Sequence, residues 1–494
     1  PQPRIDAGIR HIAMQIRRVW MICRNRLVLL AALALTTAGT TAFAQWPTDP
    51  GAPLVLADRS GPQVQPKIAV IPTGGFYVSW FDSSTGGYDV TLQRLDAAGN
   101  EQWSHNGVLV ADRGFSSTQD YGLSVDTAGN ALLAFRDDRG ATTEITVSKI
   151  GPDGTLLWGS GGVQVSSGGA FVAAPRVTGT SDGSTVVAWT SDSTVMAQKL
   201  DPAGAPQWGA GVILSPAAGS FAAADVHAAE NGTAIVSFIH PTGSFGSPIH
   251  LWAQKLASAD GALLWGTGQV QVYDEAGGSL QFGNFPPFVP DGSGGAVFAW
   301  YTSTPTLQCR VQRFLANGAE AFPHQGVEVS TNAAQIRVSP SAAFNTSTQE
   351  VIVAWREQSS NQSQSGLYAQ KLDASGARQW TDSGSELVAL SSDEITDVTI
   401  LAVGDGAVVS WVQSPSFGND PISSMRIDGD GTPVWAPPIA ALCTLATQSS
   451  DLAAVWAPEG FAAYVWSDGD SSTGDIAAAN LNADGTLGCL LYTS

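Results

Sequence analysis

The sequence predicts an all-β fold, a β-propeller of about eight four-stranded antiparallel blades in which an N-terminal strand closes the ring. Three observations support this prediction. One strand pattern recurs about every 55 residues, which is the spacing of propeller blades. The composition is rich in turn formers, with 54 Gly and 27 Pro, while only 13% of residues are charged. An early segment also supplies a strand that the last repeat lacks.

The recurring pattern is a run of small and β-branched residues that ends in an aromatic side chain. Val351-Ile-Val-Ala-Trp355 and Thr185-Val-Val-Ala-Trp189 are clear copies. Such residues favour strands. The eight copies end at Trp80, Phe135, Trp189, Phe238, Trp300, Trp355, Trp411 and Trp466.

A second pattern follows each copy and consists of an alternating strand, a turn with Gly and Asp or Asn, and, in seven of the eight repeats, another aromatic residue. Ala197-Gln-Lys-Leu-Asp-Pro-Ala-Gly-Ala-Pro-Gln-Trp208 is typical. Asp and Gly between two alternating runs predict a tight hairpin. A short strand such as Gly107-Val-Leu-Val-Ala111 comes next. Each repeat therefore holds an inner strand, the strand with the terminal aromatic, the strand before the turn and an outer strand.

Twelve of the 16 tryptophans fall on these two patterns. A ring of indoles could stack on carbohydrate, or each indole could fill the wedge between neighbouring sheets. Equal placement in every repeat favours packing between sheets. We therefore interpret these tryptophans as core residues.

The two ends of the repeat region complement each other. Pro53-Leu-Val-Leu-Ala-Asp58 resembles the outer strand Gly107-Val-Leu-Val-Ala-Asp112, whereas the eighth repeat stops near its turn at Leu481–Cys489. We expect Leu54–Ala57 to pair with the strand near Asp475–Leu481, which would remove an exposed sheet edge. The propeller is then residues 52–488. Cys489 stands where other repeats have Trp, and we expect 489–494 to be a non-native tail.

The N-terminal region has the pattern of a secretory signal. Arginines precede the apolar run Leu27–Leu35, and Ala42-Phe43-Ala44 forms an A-x-A cleavage site. The run is too short for a transmembrane helix, which needs about 20 residues. We expect 1–44 to be upstream translation and signal peptide, 45–51 an unpacked linker, and the mature protein to be periplasmic or extracellular without stable membrane insertion.

Charge and cysteine content exclude several classes of function. Of 23 basic and 43 acidic side chains, six and one precede residue 45, which leaves 17 and 42 and a net charge of about −25. A chain this acidic repels polyanions, so no nucleic-acid partner is expected. Cys309, Cys443 and Cys489 show no zinc or redox spacing. We expect a monomer whose partner is an unknown protein or glycan.

The element A-Q-K-L-D-x-x-G-x-x-x-W resembles the repeat of pyrroloquinoline-quinone-type propellers and is distantly similar to the Asp-box of sialidase propellers. It covers nearly all of residues 52–488, but turn residues carry it, so it implies a fold and not an activity. No quinone-contacting motif is present. No sialidase-like triad can be chosen among Arg94, Arg136, Arg139, Arg176, Arg310 and Arg356, which lie in different repeats.

Binding residues are expected in the loops, because propellers present recognition surfaces there. The connections after Phe238 and after Trp411 are long. Asp428-Gly-Asp430-Gly431 and Ser467-Asp-Gly-Asp470 resemble the starts of calcium loops but lack the full set of oxygen ligands, which favours turns and leaves calcium as an open alternative to no cofactor. The candidate residues of the loop face are Asp82, His240, His250, Asp468, Asp470 and Asp475.

Three functional hypotheses follow. The first is an exported, non-catalytic binding or interaction scaffold, because the repeats are regular and no catalytic residue can be named. The second is a carbohydrate-binding or glycan-acting propeller enzyme. The third, a quinone- or metal-dependent oxidoreductase, depends on the repeat resemblance alone.

Overall fold

The computed structural model describes residues 45–116, 120–215, 219–244, 246–470 and 472–489. Within them the chain forms 33 strands in eight antiparallel sheets, the blades of a β-propeller, which confirms the predicted fold. Each of the eight predicted aromatic-ended runs is the second strand of its blade. No helix in the described part of the chain is long and apolar enough to cross a membrane.

The strands follow one another blade by blade, each blade running from its inner to its outer strand. Blade 1 holds β2 (Gln63–Val70), β3 (Phe76–Asp82), β4 (Asp89–Leu95) and β5 (Val108–Ala111). Blade 2 holds β6 (Gly122–Val125), β7 (Ala131–Asp137), β8 (Glu144–Ile150) and β9 (Val163–Gln164). Blade 3 holds β10 (Val172–Gly179), β11 (Thr185–Ser191), β12 (Thr194–Leu200) and β13 (Val212–Ile213). Blade 4 holds β14 (Ala222–Ala228), β15 (Ala234–Pro241), β16 (Ile249–Leu256) and β17 (Val270–Tyr273), with a 3-10 turn at Glu230–Gly232.

The second half of the ring repeats this order, except that two short strands form the inner edge of blade 5. Blade 5 holds β18 (Ser279–Leu280), β19 (Phe288–Pro290), β20 (Ala296–Thr304), β21 (Gln308–Phe314) and β22 (Val327–Glu328). Blade 6 holds β23 (Gln335–Asn345), β24 (Glu350–Ser359), β25 (Ser365–Leu372) and β26 (Ser385–Ser391). Blade 7 holds β27 (Glu394–Val403), β28 (Gly406–Ser414), β29 (Ile422–Ile427) and β30 (Ile439–Cys443). Blade 8 holds β31 (Ser449–Trp456), β32 (Phe461–Asp468), β33 (Asp475–Asn482) and β1 (Leu54–Ala57).

The ring closes as predicted. Strand β1 pairs antiparallel with β33, so that Leu54 lies opposite Ala478 and Ala57 opposite Ile476. The N-terminal strand thus becomes the outer strand of the last blade. Leu56 and Ala57 are completely buried, which gives this closing strand an apolar anchor as well as its backbone hydrogen bonds.

The expectation that residues 45–51 are an unpacked linker is wrong at Trp46. Its side chain is 2% exposed, and its indole N–H donates to the Ala97 carbonyl oxygen at 2.9 Å. Cys489 packs against the same apolar cluster and lies on the propeller. Residues 490–494 and 1–44 lie outside the described residues, so the predicted signal and tail stay predictions.

The two tryptophan patterns have distinct packing roles. Those that end the second strands, from Trp80 to Trp466, are at most 2% exposed, which confirms that they are core residues. Those after the Asp/Gly turns reach the next blade: the N–H of Trp265 donates to Ala316 O at 3.0 Å and that of Trp435 to Ala483 O at 3.0 Å. The turn glycine of that next blade lies under the ring. A Cβ on Gly318 would stand 2.7 Å from Trp265, so this position requires glycine.

Candidate functional site

The inner strands carry a β-bulge opposite the buried tryptophan in five blades. In blade 1, Gln65 and Pro66 both lie opposite Trp80, and Gln65 has a φ of 54°. A bulge re-aims a side chain and is common near functional sites. The corresponding residues with positive φ are Gln65, Ala174, Ser339, Asp397 and Asp451. Each is at least partly exposed, next to a fully buried tryptophan.

One face of the ring carries two kinds of loop: those that connect successive blades and those that connect the second and third strands of a blade. We call it the loop face, and the inner strands begin there. A cavity of about 480 Å³ opens among the inner strands of five successive blades, and we call it the channel cavity. Its polar and aromatic lining comes mainly from Lys67, Asp120, Arg176, Asp225, His227 and Phe285. Phe285 belongs to the segment between β18 and β19, where blade 5 departs from the regular pattern.

Asp120 joins two cations from neighbouring blades in this cavity. Lys67 Nζ lies 3.0 Å from one carboxylate oxygen, and the Arg176 guanidinium donates to the other. The Nε of Arg176 also donates to Ala224 O at 3.0 Å. Burial acts to raise the pKa of Asp120, but the two cations outweigh it and lower the pKa. Asp120 is therefore an ionised acceptor.

A second pair in the channel cavity joins Asp225 and His227 on β14. His227 Nε2 lies 3.0 Å from the Asp225 carboxylate, which also accepts the Phe288 backbone N–H at 3.2 Å. Burial opposes both charges, yet their mutual attraction lowers the pKa of Asp225 and raises that of His227. The channel cavity is thus lined by fixed charges of both signs.

A second cavity, of about 420 Å³, lies where blade 8 meets blade 1, and we call it the acidic cavity. Its polar lining includes Gln65, Asp420, Ser449, Asp451 and Asp470. Asp451 is exposed, and its carboxylate accepts from the Ser467 hydroxyl at 3.3 Å.

Asp397 occupies the bulge of blade 7, next to Asp451 on the bulge of blade 8. Burial, together with the negative charge of Asp451, raises the pKa of Asp397 to about 6. Asp397 therefore carries somewhat less negative charge at neutral pH than an isolated aspartate would.

Replacing Asp397 with Asn is expected to stabilise the protein at pH 7.5 by roughly 1 to 3 kcal/mol. Between pH 3.8 and about 6 the folded carboxyl binds more protons than the unfolded one, so stability is lost as pH rises through that window. Asn also suits the φ of 48° at this position. Urea unfolding at pH 4 and pH 7.5 measures the effect. An equal gain at both pH values would contradict the electrostatic cause.

The predicted loop-face residues in blades 1 and 4 have local roles in the structure. Asp82 is 1% exposed, bonds Arg59 at 3.1 Å and accepts the Ser84 N–H at 2.9 Å, so it organises its own loop. His240 stacks on Phe221 with ring centroids 4.2 Å apart. His250 is the cross-strand neighbour of His240, and burial lowers its pKa.

The three predicted aspartates of blade 8 lie together. Asp468 and Asp475 are cross-strand partners at the β32–β33 hairpin, and burial raises the pKa of each. Asp470 lines the acidic cavity, and one of its oxygens accepts the Ser472 N–H at 2.8 Å. Asp428 likewise accepts the N–H of Asp430 at 3.0 Å. Both sequences that resemble calcium loops form capped turns.

Sequence reasoning missed the inner-strand residues that line both cavities. Lys67 and Arg176 lie on inner strands and Asp120 lies just before one; neither Lys67 nor Asp120 was among the candidate residues, and Arg176 was considered only for an arginine triad. A usable signal was proline inside a strand, as in Gln65-Pro66 and Ser339-Pro340, because proline marks bulges. Among the described residues, no group of three or more His, Cys, Asp or Glu side chains is placed to hold a metal ion.

No protein-family model matches this sequence, and no curated protein sequence matches it. A solved structure of unknown function from Dyadobacter fermentans DSM 18053 aligns over 76% of this chain and 97% of its own, with 12% identity and a TM-score of 0.40. Polysaccharide lyase Uly1 aligns over 90% and 93%, with 10% identity and a TM-score of 0.43. Prolyl oligopeptidase B from Galerina marginata aligns over 83% and 56%, with 9% identity and a TM-score of 0.45. This chain therefore spans about half the length of that last protein.

Proposed function

We propose that this protein is an exported, non-catalytic β-propeller that binds its ligand at the channel on the loop face. One observation carries the proposal: polar side chains from successive inner strands converge on the channel cavity, held by ion pairs between blades. A rigid scaffold that fixes charges of both signs around a cavity of this size is suited to recognising a polar ligand.

The ion pairs in the channel cavity make its two carboxyl groups unsuited to act as general acids. Asp120 and Asp225 both have lowered pKa values, so neither carboxyl holds a proton to donate at neutral pH. Lys67 forms one ion pair, with Asp120, and its side chain is one-third exposed. An ammonium has three N–H donors, so Lys67 retains donors for a ligand.

The test uses the chain from Gln45 onward, fluorescently labelled, on a printed array of neutral, acidic and amino-sugar glycans. We expect binding to at least one class, and a loss of tenfold or more in Lys67→Met. Lys371→Met is the matched control. Lys371 lines neither cavity, and its Nζ lies 3.5 Å from a carboxylate oxygen of Glu350. Binding that is unchanged in Lys67→Met, or no binding to any glycan, would contradict the proposal.

A glycan-acting enzyme is the second candidate, and Asp397 favours it. A carboxyl group with a pKa of about 6 beside a second carboxyl group is the arrangement from which glycosidases take their acid and base. The same array ligands, incubated with the protein in solution, discriminate the two candidates. If the protein releases reducing ends from these glycans and the Asp397→Asn variant does not, the protein is a glycan-cleaving enzyme. Intact glycans after prolonged incubation support the binding scaffold.

A further inference from the structure

The acidic cavity has carboxylates without cations. Asp420, Asp451 and Asp470 line it, and among the described residues none of the three forms an ion pair with Lys, Arg or His. The channel cavity differs, because each of its aspartates has a basic partner. Unpaired negative charges in one concave site favour a cation from outside.

A buried hydroxyl in the same cavity is also without a partner. Ser449 is 4% exposed and lines the acidic cavity, and its Oγ makes no hydrogen bond within the described part of the chain. The side-chain oxygen of Gln65, in the same lining, is buried and unpartnered as well. A buried polar atom left unpaired destabilises the folded state, so these atoms are suited to a ligand that supplies the missing partners.

The lining of the acidic cavity matches a ligand that carries both N–H donors and hydroxyl groups. The carboxylates and the Gln65 oxygen accept only, which matches a group with several N–H donors. Gln448, Ser450 and Ser467 add neutral polar side chains that match hydroxyl groups. The volume of about 420 Å³ lies in the range of small-molecule sites, about 300 to 1,000 Å³.

We propose that the acidic cavity binds a primary ammonium group carried by a saccharide, as in a glucosamine unit, with the ammonium at Asp451 and the sugar hydroxyls at the neutral side chains. The inference rests on the proposed binding function and adds to it a second site with its own ligand class. A simple polyamine shares the ammonium but offers no hydroxyl groups, so it would leave the neutral half of the lining unused.

Calorimetric titration with chitotriose, the trimer of glucosamine, tests the proposal against two matched ligands. N,N′,N″-triacetylchitotriose has the same rings without the positive charges, and spermidine has the charges without the rings. We expect chitotriose to bind at least tenfold more tightly than either. We also expect its affinity to fall as NaCl is raised, because screening weakens charge pairing.

Asp451→Asn is expected to weaken chitotriose binding tenfold or more, and Asn fits the φ of 56° at this position. Asp420→Asn provides a second variant if the first unfolds. Asp382→Asn is the matched control. Asp382 lines neither cavity, and its carboxylate lies 3.3 Å from the Nε of Arg378.

Equal binding of the acetylated trimer overturns the role of the ammonium, and equal binding of spermidine overturns the saccharide. If chitotriose does not bind while an array glycan binds and depends on Lys67, this inference fails and the proposed function stands. If no glycan binds at either cavity, both fail.

Discussion

Replacing Trp355 with Ala is expected to lower the free energy of unfolding by about 3 to 5 kcal/mol. The side chain is completely buried between blades 5 and 6, in a cluster with Val311, Val353 and Leu372. Its truncation leaves a cavity that the surrounding strands can fill only in part. The indole N–H also donates to Glu357 Oε2 at 2.5 Å, so the variant removes a hydrogen bond from a buried carboxyl group.

Urea unfolding of Trp355→Ala, followed by intrinsic fluorescence and circular dichroism, measures the effect. Phe417→Ala is the matched control, because Phe417 is 98% exposed and its truncation is expected to change stability by less than about 0.5 kcal/mol. If Trp355→Ala unfolds like the parent protein but loses binding to a glycan, the tryptophan ring is a ligand surface and its assignment to the core is wrong.

The architecture was predictable because the information is repeated. Strand alternation, the Asp/Gly turn and the aromatic position recur in each blade, so eight weak local signals support one another. Ring closure was predictable for a related reason: Leu54–Ala57 resembles an outer strand, and the last repeat lacks one. Trp46 was missed because it stands eight residues before that strand, where the sequence resembles a linker.

The candidate site was much less predictable, because it consists of deviations from the repeat. Lys67 and Arg176 occupy equivalent inner-strand positions. They meet at the channel cavity because both pair with one carboxylate, that of Asp120, which lies between them. Such convergence depends on the position of each blade around the ring, which one sequence does not reveal. The raised pKa of Asp397 likewise depends on its burial and on Asp451, a neighbour 54 residues away in the chain.

The aspartates chosen from the loops had a different physical basis. Asp82 and Asp470 are turn formers, and their carboxylates accept backbone N–H groups close to them in sequence. Acidic residues in loops are frequent for this reason alone. Asp470 lies at the acidic cavity in addition to capping its turn, and composition could not separate these two roles.

Replacing Trp46 with Ala is expected to destabilise the propeller by about 3 to 5 kcal/mol, with the loss concentrated at the closure between blades 8 and 1. The indole packs edge-on against Phe76 at 5.9 Å and Phe461 at 6.2 Å between ring centroids, one from each blade. Its ring lies over Gly99, where a Cβ would stand 2.7 Å away. Trp46 thus joins blade 8 to blade 1 as Trp103 joins blade 1 to blade 2.

Hydrogen exchange locates the effect of Trp46→Ala. Amides of Ala477 and Ala478, which face strand β1, should lose protection before those of a distant blade such as Val353. Trp103→Ala is the matched control, because Trp103 makes the equivalent N–H contact, to Pro152 O at 3.2 Å, but is only half-buried and should cost less. A uniform loss of protection around the ring, or a larger effect from Trp103→Ala, would contradict a special role for Trp46 in closure.

Because the expected cleavage after Ala44 leaves Trp46 as the second residue, a chain that begins at Thr48 should reproduce the Trp46→Ala phenotype while keeping strand β1.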